Sequence, residues 1–153
     1  MCRALAMVLV GALGLGLVAG CGTDRSQDNG YVDAVNRAQR DFAARFARLS
    51  KRITATSTPG EDRRTLGAFR AAVDRTVVRL RGVEVPDRVG SLHARLVDEI
   101  AAYGRQIDRA RAAFRGQRAQ AILVAQTDLV SAVTRISAQI NRTIATINER
   151  LRG

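Results

Sequence analysis

Val89, Leu92, Leu96, Ile100, Tyr103, Ile107, Ala110 and Phe114 recur at intervals of three and four. That spacing lines one face of an α-helix and does not match the two-residue alternation of a half-buried strand. The same rhythm runs through Val35, Ala38, Phe42, Phe46, Leu49 and Ile53, and through Leu66, Phe69, Val73, Val77 and Leu80. It returns in Ile122, Leu129, Val133, Ile136, Ile140, Ile144, Ile147 and Leu151. Four helices are predicted, over about 31–56, 59–81, 86–115 and 117–152.

The boundaries carry their own signals. Thr58-Pro59-Gly60-Glu61 reads as a capping box, with proline where a missing N–H costs nothing. Gly82 is expected to close the second helix in a left-handed conformation, and Pro86-Asp87 to open the third. Arg115-Gly116-Gln117-Arg118 interrupts the pattern before the fourth. The rival is one unbroken helix over 86–152, about 100 Å long at about 1.5 Å per residue; Gly116 in a polar run favours the break. Short connections favour neighbours of opposite direction, so 31–153 reads as an all-α domain, an antiparallel up-down four-helix bundle. The fourth helix is the longest and is expected to leave an apolar overhang near Ile144 to Leu151.

The amino-terminal twenty residues have a different pattern. Met1-Cys2-Arg3 is a short positive start, Ala4 to Val18 is an apolar run, and Val18-Ala19-Gly20 places small residues before Cys21. This is the pattern of a cleavable signal peptide over 1–20. As a helix, Ala4 to Ala19 would reach about 24 Å against a hydrocarbon core of about 30 Å. An uncleaved anchor and an ordinary secretory signal are the alternatives. Val18-Ala19-Gly20-Cys21 resembles the lipobox of bacterial lipoproteins, a resemblance that covers residues 1–21. It implies cleavage between Gly20 and Cys21, a diacylglyceryl lipid on Cys21 and acylation of the new amino terminus. It also implies a place on the extracytoplasmic face of the cell membrane, held through the lipid anchor. Residues 21–30 are polar and turn-forming, and are expected to be a flexible tether. Cys2 would leave with the leader and Cys21 would carry lipid, so no disulfide pair remains and packing alone must hold the domain.

The chain has 25 Lys and Arg against 14 Asp and Glu, a formal charge of +11, and 24 of the 25 cations are arginine. An arginine-rich solvated surface accounts for such a count unless the charges cluster. The up-down topology gathers Lys51, Arg52, Arg63, Arg64, Arg111, Arg115 and Arg118 at one end, opposed only by Glu61 and Asp62, a local net of +5. At the other end Arg25, Arg79, Arg81, Arg88, Arg150 and Arg152 are balanced by Asp24, Asp28, Asp33, Glu84, Asp87 and Glu149. The amino termini of the second and fourth helices fall at the basic end, where free N–H groups would add to its pull on anions. The expected partner is an anionic envelope polymer or an acidic protein, bound through arginine forks. Nucleic acid is disfavoured by the extracytoplasmic address.

No catalytic constellation is legible. His93 is the only histidine and lies beside the third apolar stripe; the stripes carry no carboxylates. No metal-ligand spacing, nucleophile elbow or phosphate loop occurs, and no cofactor is implied beyond the lipid on Cys21. The expected function is therefore a lipid-anchored helical interaction module of the cell envelope. The alternatives are an assembly protein that pairs through its fourth helix, and a sensor or enzyme with an interior pocket.

Overall fold

The computed structural model describes residues 23–54, 56–116 and 118–153. The signal peptide, the cleavage site between Gly20 and Cys21 and the lipidated Cys21 lie outside the described residues. What is described is all-helical, a helical bundle with no strand: α1 Thr23–Ser50, α2 Pro59–Arg81, α3 Gly90–Arg115 and α4 Ala119–Arg152.

Helix α1 starts at Thr23, in place of the flexible tether expected over 21–30. Asp28-Asn29-Gly30 is a turn-forming run, but Asp28 is buried and ion-paired with Arg88, and Tyr31 is buried one turn on. Those tertiary contacts outweigh local propensity. The same helix stops at Ser50, short of the expected 56. There the Thr54 N–H donates to Ser57 Oγ at 3.2 Å, a side-chain bond that competes with another helical turn, and the Thr54 carbonyl lies 2.8 Å from the same hydroxyl, whose one proton it shares with Asp62.

The capping box of α2 is present as the sequence reads. Glu61 N–H donates to Thr58 Oγ1 at 3.3 Å, and Thr58 N–H donates to Glu61 Oε2 at 2.8 Å. Hydrogen bonds from the Thr58 backbone and hydroxyl hold the Glu61 carboxyl below its usual range. Thr58→Ala is expected to cost about 1 kcal/mol of stability in urea denaturation. At the other end of α2, Gly82 has φ −91° and ψ 5°, a right-handed turn and not the left-handed one expected. Its N–H reaches the Arg79 carbonyl and Val83 N–H the Leu80 carbonyl, so tightened bonds close the helix without a positive φ. Pro86 likewise precedes a 3₁₀ turn, Asp87–Val89, and α3 begins only at Gly90. The α3–α4 break falls at Gly116, whose N–H caps the Ala113 carbonyl at 3.1 Å, and the unbroken helix is excluded.

Helix α2 packs against α1 and α3, and α3 packs against α4; the α1–α2 seam is the lightest of the three. Burial follows the same order. Helices α2 and α3 bury most of their stripes, with Leu80 and Leu96 each 1% exposed, whereas α1 buries only Tyr31, Val35 and Ala38 among its apolar residues. Because α3 faces neighbours on two sides, its buried face is wider than the stripe: His93 and Val97 are buried and Leu92 only partly so.

Helix α4 reverses one expectation. Ile147 is buried and Ile144 and Leu151 pack on the core, so the apolar surplus is not at 144–151. It sits in the amino-terminal half, where Leu123 is 59%, Val124 49% and Val130 37% exposed. The carboxy-terminal half is covered because α1 meets it there: Tyr31, Val32 and Val35 lie with Ile144, Ile147 and Leu96 around one small cavity.

Carboxylates also enter the interior, which the stripes had not indicated. Asp62 is buried and accepts from Ser57 Oγ at 2.7 Å. Glu99 accepts from Arg95 Nε at 3.0 Å and from Thr143 Oγ1 at 3.1 Å. Each is bound by a donor from its own surroundings, as burial of an ionised group requires. Among the described residues no three His, Cys, Asp or Glu side chains gather to hold a metal ion.

Candidate functional site

Two contacts midway along α2 join it to α1 and to α3. The Phe46 and Phe69 rings meet at a tilt of 50° with centroids 4.7 Å apart, joining the last turns of α1 to the middle of α2. Arg70 Nε donates to Asp108 Oδ2 at 2.8 Å, joining the middle of α2 to α3. Arg70 also pairs with Asp74, and its guanidinium lies over Gly104, where an added Cβ would sit 2.8 Å from Arg70 Cζ. A side chain at position 104 would make the Arg70 guanidinium shift.

The seven cations singled out in the sequence fall just after α1, in the first turns of α2, in the last turns of α3 and at the start of α4. Lys51, Arg52, Arg63, Arg64, Arg115 and Arg118 are all exposed. Among the described residues none of the six forms an ion pair. The seventh differs. Arg111 is half-buried, its guanidinium lies against Gly67, and its Nη1 reaches Asp108 at 3.5 Å. It is partly neutralised and braces the α2–α3 seam.

Both acids that could neutralise this end are already engaged. Glu61 is folded back onto Thr58, and Asp62 is buried under Ser57. Glu61 still acts through space on Arg64, and Asp108 on Arg111, so what faces solvent is a net surplus of cations and not an acid-free surface. The opposite end contrasts: Arg88 binds Asp28 and reaches the Leu151 carbonyl at 3.4 Å, and Arg79 binds Asp41, whose carboxyl it holds below the usual range.

The two helix amino termini at the basic end are not equivalent, as the sequence had suggested they were. Side chains of the chain itself fill that of α2. At α4 the N-cap is Arg118, which makes no side-chain capping bond, and Ile122 N–H donates to the Arg118 carbonyl at 3.0 Å. Arg118 also begins an open groove of about 710 Å³ between α3 and α4, with Arg109, Asp128 and Arg135 on its walls and Ala110, Val124 and Leu129 among its apolar lining. Sequence reasoning missed Arg109, Arg135 and Arg48, the last in the final turn of α1. Only Arg48 had a local signal, its position one turn before the basic run.

Arrayed guanidinium groups of this kind hold phosphate or carboxylate oxygens by paired N–H bonds. His93 lies near the other end of α3, with Nε2 bonded to the Leu80 carbonyl. No family model, curated protein or solved structure matches the chain.

Proposed function

We propose that this protein is a lipid-anchored, extracytoplasmic interaction module of the bacterial envelope whose basic end, turned away from the membrane, contacts an anionic polymer or an acidic protein. It is a binding protein rather than an enzyme. The anchor rests on Val18-Ala19-Gly20-Cys21. The orientation rests on an up-down, antiparallel course of the four helices, supported by the pairings Arg70–Asp108, Arg79–Asp41 and Tyr103–Ser137 along successive neighbours. The observation that carries the binding reading is the set of six exposed cations, none of which forms an ion pair among the described residues.

Neutralising Arg63, Arg64, Arg115 and Arg118 together with glutamine is expected to abolish salt-sensitive retention on isolated envelope polymers while leaving the helical content unchanged. The fold should tolerate it because all four side chains are exposed. Screening sets the readout: retention of the unaltered chain should fall between 0.05 and 0.5 M salt, written as about a threefold shortening of the Debye length. Equal retention of both proteins would remove the reading.

A second reading, assembly through α4, is favoured by the exposed Leu123, Val124 and Val130. Sedimentation that depends on protein concentration, and that a Leu123→Glu change abolishes, would support it over the first.

A further inference from the structure

His93 is 7% exposed, and both of its ring nitrogens are bonded to other helices. Nε2 lies 3.0 Å from the Leu80 carbonyl at the end of α2, an acceptor only, so this nitrogen carries the proton. Nδ1 is then the acceptor, receiving the Tyr31 hydroxyl from α1 at 3.2 Å. The two rings also meet edge to face, with centroids 5.6 Å apart. A neutral imidazole in one tautomer thus joins α1, α2 and α3.

We propose that this Tyr31–His93–Leu80 junction is an acid-released latch holding α1 against the body formed by α2, α3 and α4. A second proton would have to enter at Nδ1, in the space that the tyrosine proton fills, and would leave a cation in an apolar surround. No described side chain is placed to compensate. On α1 the neighbouring acid, Asp28, is bound by Arg88; on α2 the flanking groups are Arg79 and Arg81. On α3, Arg95 and Glu99 bind each other, and on α4 Glu149 and Arg150 are exposed. None forms a hydrogen bond or ion pair with the ring.

The release is confined to α1 because that helix is the one held lightly. Its buried residues among those described, Asp28, Tyr31, Val35 and Ala38, end at Ala38, whereas Phe42, Phe46 and Leu49 beyond it are only partly buried. Helices α2 and α3 keep their shared core without it.

Burial lowers the His93 pKa from its ordinary 6.5, and the Leu80 carbonyl only partly opposes this. The docked state therefore refuses a proton that the released state accepts. Docking is fully stable above about pH 6.5 and weakens as pH falls from there through the lowered pKa. With one proton taken up, the released population rises by up to about tenfold per pH unit in that window.

Hydrogen exchange on the full chain in mild detergent tests this, compared at pH 7.5 and 5.5 after correction for intrinsic rates. Amides of α1 should exchange up to about tenfold faster per pH unit, those of α2 and α3 should not change, and His93→Gln should flatten the response. Because the chain has one histidine, its imidazole proton resonance titrates without overlap, and its midpoint should lie below 6.5 and within the pH range of release. Uniform loss of protection over all helices, no acceleration in α1, or acceleration that persists in a folded His93→Gln chain would each overturn the latch. If that variant does not fold, a His93 midpoint at or above 6.5 in the unaltered chain does the same.

Discussion

Cys21→Ser is expected to eliminate labelled palmitate incorporation entirely and to leave the twenty-residue leader attached, seen as an intact precursor mass. In the proposed anchor a single sulfur carries the diacylglyceryl group. Each buried methylene contributes about 0.8 kcal/mol, so two long chains hold firmly where one holds marginally. Serine forms no thioether, and without that modification the lipobox is not cut. Cys2→Ser is the matched control and should change nothing in the processed protein, because Cys2 lies within the proposed leader. An unmodified thiol at Cys21 in the native protein, or label persisting in Cys21→Ser, would remove both the anchor and the orientation of the basic end.

Leu96→Ala is expected to cost about 2–5 kcal/mol in urea denaturation, a large share of a total stability of about 5–15 kcal/mol. Leu96 is 1% exposed and lies where α1, α3 and α4 meet, beside Tyr31, Val35 and Ile147. Truncation there forfeits transfer energy and leaves a cavity that three helices cannot all close around. No cysteine follows Cys21, so no intrachain disulfide offsets the loss. Leu123→Ala removes the same atoms from a side chain that is 59% exposed, and should change stability by no more than about 0.5 kcal/mol. Comparable losses at both positions would mean that the outer face of α4 is covered in the native assembly.

Which parts of this architecture were legible depends on whether the information is local. The four stripes and the Thr58–Glu61 box are local, and the helices form where they indicate. The start of α1 is not local, because Arg88 and the core around Tyr31 decide it from sixty residues away in the chain. The surplus on α4 was misplaced for a related reason. Its apolar residues repeat evenly along 34 residues, but whether each is covered depends on how far α1 follows it. The basic residues were readable as a group once the topology was assumed. That Glu61 and Asp62 would be consumed by Thr58 and Ser57 was only half readable, since the box is a sequence motif and the burial of Asp62 is not. His93 read as a lone histidine beside a stripe; only the wide buried face of α3 shows that it bridges helices.

The early start of α1 changes what a membrane-held molecule of this kind could touch. A 28-residue helix beginning two positions after Cys21 is about 42 Å long at about 1.5 Å per residue. On the anchored reading it acts as a mast that carries the cationic tip at a set height above the lipid headgroups. Inserting a flexible glycine-serine stretch before Thr23 would then blur that height, and so loosen selection among envelope layers, without altering a single contact inside the bundle.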